Sequence, residues 1–266
     1  MTVGELPRSP VLDLEVARGV LIARLNRPRK LNALSAELLA DLRALWAGVG
    51  SRRDIRCVVV TGAGNGFCSG ADLELLASDR GDAGDSVEEE LSFLPGRRLD
   101  IPVICAVNGV CAGGGLHFVA DADIALAAEE ATFLDPHVSV GHVSALEPLS
   151  LALRMRPDVL RRMVLLGSAE RLDAASARDA GLVSEVLPSA QLMPRARALA
   201  EMIAASSPAA VAASRRVLRD FEEEVLGRHR EAGWRAIRRQ WAHPDAHEGP
   251  AAAAERRSPE WTHDPS

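Results

Sequence analysis

The chain has 266 residues, of which 47% are hydrophobic and 26% charged, a composition that allows one large core or one core with a helical extension. Its net charge is −6 and its basic residues are scattered along the chain, which argues against nucleic acid as the main partner. No apolar run reaches the roughly 20 residues that span a bilayer, and the first ten residues lack the apolar stretch of a secretion signal, so we expect a cytoplasmic protein with no membrane partner.

The first 50 residues predict a β-hairpin followed by a helix. Residues 11–16 and 20–25 are apolar or alternate on either side of Arg18-Gly19, which is typical of two paired strands. Ser35 then precedes a segment whose leucines recur at helical spacing, and a serine hydroxyl suits the N-cap position.

Two segments follow that each predict a strand, a glycine-rich loop and then the start of a helix. Residues 56–61 form a β-branched stretch typical of a strand covered on both faces, and a glycine-rich loop follows it. Residues 103–107 are apolar, Asn108-Gly109 interrupts them, and a glycine triplet opens an amphipathic run. Residues 124–127 and 132–134 predict two further short strands.

From residue 145 onward the pattern predicts helices, except for an apolar stretch at residues 182–187. We therefore expect an α/β core over residues 1–190 and a helical C-terminal region over residues 191–266. Residues 78–88 are small and charged, which predicts a mobile loop.

Neither the cysteines nor the histidines have metal-ligand spacing. The four cysteines lack a close C-x-x-C pair, and we expect them to be reduced. The sequence therefore predicts no metal site.

Two glycine-rich turns between a strand and a helix each predict a free backbone amide, at Ala71 and at Gly114. Two such donors could hold one oxygen, as an oxyanion hole does. Residues 62–66 also allow a dinucleotide-binding turn, but the third glycine is out of register and Phe67 and Cys68 separate it from the helix. A purely structural turn is the remaining alternative.

Four motifs resemble the crotonase superfamily of enoyl-CoA hydratases and isomerases in their order and spacing. They are LNRP with LNAL at residues 25–34, FCSGADL at 67–73, AVNGVCAGGGL at 106–116 and AGLV at 180–183. The resemblance implies an α/β fold, a crotonase-like spiral of ββα units with an α-helical C-terminal trimerisation region. It also implies a homotrimer or a dimer of trimers.

The resemblance further implies that an acyl-CoA thioester is the substrate, without a separate cofactor. By the family pattern, the amides of Ala71 and Gly114 hold the thioester oxygen. Coenzyme A would pass along Arg29, Lys30 and Leu31, with its adenine near Asp72 and Leu73. For Arg29 and Lys30, an ordinary solvated loop charge is the alternative.

The sequence departs from the family at both catalytic positions. Family hydratases add water with two glutamates, and the matching positions here are His117 and His137. A histidine can do acid–base work because its reference pKa lies close to neutrality. Alternatively, His117 only packs beside Phe118 and His137 only bonds to a backbone group.

Two acidic residues could complete the site. Glu147 could supply the missing carboxylate, although a solvent-facing acid at a helix N-terminus is the favoured interpretation. Asp135 could orient a histidine, although a turn residue at a strand end is the simpler interpretation. We expect a hydratase or isomerase; an acyl-CoA hydrolase, a carbon–carbon cleaving enzyme and a non-catalytic acyl-CoA-binding protein remain alternatives.

Overall fold

The computed structural model describes residues 6–72, 75, 86–96 and 98–262. Leu73 and residues 78–85 of the predicted loop lie outside the described residues. In the described part of the chain, no helix is long and apolar enough to cross a membrane.

Ten strands and nine α-helices are assigned within the described ranges. The strands are β1 Leu12–Ala17, β2 Val20–Leu25, β3 Cys57–Gly62, β4 Gly66–Cys68, β5 Val103–Val107, β6 Val110–Ala112, β7 Ile124–Ala128, β8 Thr132–Leu134, β9 Leu172–Asp173 and β10 Glu185–Leu187. The helices are α1 Ala36–Gly50, α2 Val87–Glu90, α3 Gly115–Asp121, α4 Leu146–Leu151, α5 Pro157–Leu166, α6 Ala174–Asp179, α7 Ser189–Ala204, α8 Pro208–Gln240 and α9 Asp245–Glu255.

Short 3-10 turns complete the described elements, at Pro28–Lys30, Leu91–Phe93, His137–Val140 and Gly167–Ala169. The hairpin of β1 and β2 is antiparallel, and Ser35 caps α1 by accepting a hydrogen bond from the amide of Leu38. Both features agree with the sequence pattern. The two-residue strand β9, which interrupts the helical second half, was not predicted.

The strands form two sheets in an alternating order. The larger sheet has the order β1-β2-β3-β5-β7-β10, and the smaller has the order β4-β6-β8-β9. The pairs β3-β4, β5-β6 and β7-β8 each give their first strand to the larger sheet and their second strand to the smaller one, while β1 and β2 both belong to the larger sheet. This is a spiral of ββα units, and the predicted fold class is confirmed.

The main core fills the space between the two sheets and their covering helices. Trp46 of α1 is buried there, and its indole N–H donates to the carbonyl of Phe93 at 2.7 Å. A second apolar cluster lies on the other face of the larger sheet, where α7 covers it with Leu192, Ala196 and Ala200. The four cysteines are buried and free, and burial raises the pKa of Cys68 to about 12.

Candidate active site

Three loops meet at one edge of the smaller sheet. Strands β4, β6 and β8 are parallel neighbours, so the loops that follow them leave from the same edge. The first loop carries Ala71, the second carries Gly114 and the third carries His137. The sheet therefore brings together residues that are far apart in the chain.

The amides of Ala71 and Gly114 lie beside each other. Leu34 forms a parallel bridge with Ala71, donating to the carbonyl of Gly70 and accepting from the amide of Asp72. This pattern leaves the Ala71 amide without a role in the bridge. A Cβ placed on Gly114 would lie 4.0 Å from that amide nitrogen and 2.9 Å from Leu34 Cδ1. Two backbone amides thus lie close together, and a side chain on Gly114 would occupy the space next to them.

His117 lies on α3, directly after the second loop. It is buried, and the ring of Phe93 packs edge-on against it with centroids 6.1 Å apart. Its Nε2 lies 3.0 Å from Oε1 of Glu147. The imidazole therefore has a specific polar partner as well as packing contacts.

Glu147 is not solvent-facing, and the favoured sequence interpretation of this residue was wrong. Helix α4 packs against α3 and turns the Glu147 side chain inward, so that only 5% of the residue is exposed. Its Oε1 lies 3.0 Å from His117 Nε2 and 3.5 Å from His137 Nε2. One carboxylate oxygen therefore lies between the two imidazoles.

The surroundings of Glu147 keep its carboxylate ionised. Burial by itself raises the pKa of this carboxyl. The charges of His117 and His137 and the hydrogen bond from His117 outweigh burial, and the pKa of Glu147 lies well below its ordinary value of 4.5.

His137 lies next to the second glycine loop and has a carboxylate on each side. Its Cε1 would lie 3.7 Å from a Cβ placed on Gly113. Its Nδ1 lies 2.6 Å from Oδ1 of Asp135, and its Nε2 faces Glu147. Asp135 is the turn residue at the end of β8 that the sequence predicts, and its buried carboxylate also contacts the ring of His137.

The residues expected to contact coenzyme A border the first glycine loop, where the amide of Ser69 donates to the carbonyl of Leu31 at 3.0 Å. Arg29, Lys30 and Leu31 are exposed in and just after the 3-10 turn that follows β2. Asp72 is buried and paired with Arg27 at 2.6 Å. The CoA contacts of these residues, and that of Leu73, stay predictions.

A cleft on another part of the molecule is separate from this site. It has a volume of about 710 Å³ and contains none of the histidines or glycine loops. Arginines and acidic residues alternate on its walls: Glu88, Arg98, Asp100, Arg215, Arg216, Arg219, Asp220, Glu222, Glu223 and Arg230. Within the described ranges, no cluster of His, Cys, Asp or Glu has the arrangement of a metal site.

Ser144 belongs to the site but was not singled out from the sequence. Its hydroxyl donates to Oδ2 of Asp135, the carboxylate that bonds to His137. Ser144 lies in a loop without a periodic pattern, and only its closeness in sequence to Glu147 could have drawn attention to it. Phe93 was missed as well, because nothing in its short segment indicates that the segment approaches α3.

Comparisons with known proteins identify relatives of the whole chain. The family model described as enoyl-CoA hydratase/isomerase matches residues 15–264. An enoyl-CoA hydratase named EchA19 from Mycobacterium tuberculosis is 34% identical over 252 residues, which is 90% of this chain and 91% of that protein. An (E)-benzylidenesuccinyl-CoA hydratase from Thauera aromatica is 33% identical over 255 residues, which is 93% of this chain and 97% of that protein.

A solved structure has the same fold over nearly the full length. It is an enoyl-CoA hydratase/isomerase from Pseudoalteromonas atlantica, with a TM-score of 0.85 and 29% identity. The match covers 95% of this chain and 100% of the other. Sequence and structural similarity therefore extend through the C-terminal helices.

Proposed function

The chain belongs to the enoyl-CoA hydratase/isomerase family of acyl-CoA enzymes, and we propose that it adds water across the Cα=Cβ bond of an enoyl-CoA thioester, or removes it in the reverse direction. In this proposal His117, His137 and Glu147 do the acid–base work that two glutamates do in family hydratases. The observation that carries it is the contact of one Glu147 oxygen with both imidazoles, beside the paired amides of Ala71 and Gly114.

The two amides hold the thioester oxygen. Attack of water at Cβ moves negative charge onto that oxygen, and the N–H groups of Ala71 and Gly114 stabilise the enolate that forms. A preorganised donor of this kind typically contributes about 3 kcal/mol to the transition state.

The imidazoles move the protons. The water oxygen forms the bond to Cβ while its proton passes to Nε2 of His137, and Cα takes a proton from the pair formed by His117 and Glu147. The lowered pKa makes Glu147 a weak base, and we assign the base role to His137 in its neutral form and the proton for Cα to His117. The carboxylate lies between both rings, so it can return the proton from His137 to His117 and restore the starting state.

Turnover of crotonyl-CoA and of longer enoyl-CoA thioesters tests this function. Wild type should remove the conjugated enoyl absorbance, and Glu147→Gln, His117→Gln and His137→Gln should each lower kcat about 10²- to 10⁴-fold. Glu129→Gln, which changes an exposed glutamate away from the site, is the control and should keep the wild-type rate.

The other candidate functions give different results in the same assay. Release of free CoA thiol would identify a hydrolase. Binding without turnover of any enoyl-CoA or 3-hydroxyacyl-CoA would identify a binding protein, whose stability should rise by about 2.7 kcal/mol at a ligand concentration 100 times Kd. Wild-type rates in both Glu147→Gln and His137→Gln would refute the acid–base assignment.

We propose that the chain assembles as a homotrimer or a dimer of trimers. The support is a stripe of exposed apolar side chains along α8, formed by Val217, Leu218, Phe221 and Val225. Exposed apolar surface of this extent on one helix face is typical of an interface between protein chains.

A further inference from the structure

Two polar side chains, the buried Asp135 and the half-buried Ser144, lie behind His137, on the side away from Glu147. Oδ1 of Asp135 lies 2.6 Å from His137 Nδ1 and also accepts from the His137 backbone N–H at 3.2 Å. Oδ2 of Asp135 accepts from the hydroxyl of Ser144. Both oxygens of the carboxylate are therefore held by donors from the same loop.

The loop from Asp135 to Ser144 has a defined, closed conformation. Asp135 directly follows β8, and the 3-10 turn at His137–Val140 begins after Pro136. Gly141 then takes a left-handed conformation with φ +72°, and a Cβ there would lie 2.1 Å from the carbonyl oxygen of Asp245 in α9. The amide of His142 donates to the carbonyl of His137 at 2.9 Å. This closed turn, packed on α9, brings Ser144 back to Asp135.

The geometry decides which nitrogen of His137 carries the proton. A carboxylate can only accept, so a contact of 2.6 Å places the hydrogen on Nδ1. In the neutral ring, Nε2 is then the nitrogen with the free electron pair, and it is Nε2 that faces Glu147. When Nε2 takes up a proton, the charge that forms on the ring is stabilised by Asp135 behind it.

We infer that Asp135 and Ser144 are positioning residues for the proposed reaction, which hold His137 with its proton on Nδ1 and its Nε2 toward the substrate. Asp135 acts on His137 directly, and Ser144 acts by fixing the second oxygen of that carboxylate. The inference rests on the proposed function, because it assigns the working nitrogen of one of its acid–base groups.

The state of His137 can be measured without a substrate. NMR of the full-length protein labelled with ¹⁵N at histidine should show a downfield proton on Nδ1 of one ring, assigned by its loss in His137→Gln. The signal should disappear in Asp135→Asn and persist in Ser144→Thr, which keeps a hydroxyl. A signal that persists in Asp135→Asn would overturn the inference, whether or not the enzyme hydrates any thioester.

Kinetics separate positioning from a structural role. With crotonyl-CoA, Asp135→Asn should lower kcat about 100-fold or more and change KM by less than about threefold, and it should alter the pH profile of kcat. Ser144→Ala should lower kcat about tenfold, and Ser144→Thr should restore most of it. An unchanged pH profile, with activity lost only in proportion to unfolded protein, would overturn the inference.

Failure of the proposed function looks different from failure of this inference. If wild type turns over no enoyl-CoA while the Nδ1 proton depends on Asp135, the hydratase proposal fails and the positioning of His137 stands. If wild type is an active hydratase and Asp135→Asn has the same kcat and pH profile as wild type, the positioning role fails and the hydratase proposal stands.

Discussion

The ionisation of the Glu147 carboxylate depends on the side chains around it. A carboxylate buried alone is disfavoured, because ionisation in an apolar interior costs several kcal/mol. Here the imidazoles of His117 and His137 lie within 3.5 Å of its Oε1, and they reverse that preference. The group can therefore stay charged at a depth where only 5% of the residue is exposed.

The lowered pKa of Glu147 makes stability depend on acidity. The folded protein favours the ionised carboxylate. The contribution of Glu147 to the free energy of unfolding is therefore complete above the ordinary pKa of 4.5 and is lost as the pH falls toward the lower pKa of the folded state. We expect Glu147→Gln to cost about 1–3 kcal/mol near neutral pH, because the two imidazoles lose the negative charge that lies between them. The difference from wild type should shrink as the pH is lowered through about 4.

Urea unfolding of both proteins at a series of pH values measures this difference. Glu129→Gln, on the exposed surface, should follow wild type throughout. A wild-type advantage over Glu147→Gln that grows on acidification would contradict the sign of the shift.

At the scale of elements, the close packing of loops on the smaller sheet determines where the two amides lie. A Cβ on Gly115 would lie 2.4 Å from the carbonyl oxygen of Cys68, at the end of β4. The backbone of Cys68 cannot move without displacing β4, and that of Gly115 cannot move without displacing α3. By contrast, a Cβ on Gly114 meets the end of the Leu34 side chain, which can shift.

The neighbouring glycines should therefore respond differently to the same change. Gly115→Ala is expected to destabilise the fold by about 1–3 kcal/mol, as overpacking against backbone does. Gly114→Ala is expected to fold with a smaller loss of stability and to lose about 10²-fold in kcat with enoyl-CoA, because the added methyl group fills the space for the oxygen. Thermal unfolding and turnover of the two variants check this, and the reverse pattern would contradict the placement of the site at Gly114.

At the scale of the molecule, the buried side chain of Arg215 joins helix α8 to the core. The guanidinium of Arg215 bonds to Asp123 at 2.8 and 2.9 Å, and to the carbonyls of Leu99 and Gly96. Asp123 in turn accepts from the amide of Val103, the first residue of β5. One arginine thus links α8 to the start of a central strand.

Two adjacent arginines give a matched test of this link. Arg215→Met should lower the free energy of unfolding by about 1–3 kcal/mol, because it leaves the buried carbonyls of Leu99 and Gly96 without their donor and removes a charged partner of Asp123. Arg216→Met removes an ion pair with Asp100 in which both side chains are mostly exposed, and should cost less than about 1 kcal/mol. Equal effects in chemical denaturation would contradict the role given to Arg215.

The apolar stripe on α8 leads to a prediction about assembly. Wild type should have a mass in solution of three or six times the 28.4 kDa of one chain. Leu218→Glu combined with Phe221→Glu should lower that mass, since charge in an apolar interface is costly, while Ala209→Glu, at an exposed position near the start of α8, should not. Light scattering after size exclusion measures each mass, and a monomeric wild type would refute the assembly.

The sequence by itself determined the order of most elements and the glycine turns, and the match of the two histidines to the family glutamates stays a prediction. These features depend on residues close together in the chain: a β-branched run, a glycine after a strand, a serine before a helix. The boundary predicted near residue 190 and the CoA-contacting residues stay predictions.

Only the tertiary structure decided which charged groups form the site. Glu147 belongs to α4 and His117 to α3, and neither pattern indicates that the two helices pack with these side chains toward each other. Asp135 follows β8 as the sequence predicts, but only the turn at Gly141 shows that Ser144 returns to its carboxylate. Burial and ion pairing depend on elements that are distant in sequence, so the protonation and roles of these groups are properties of the fold rather than of any local segment.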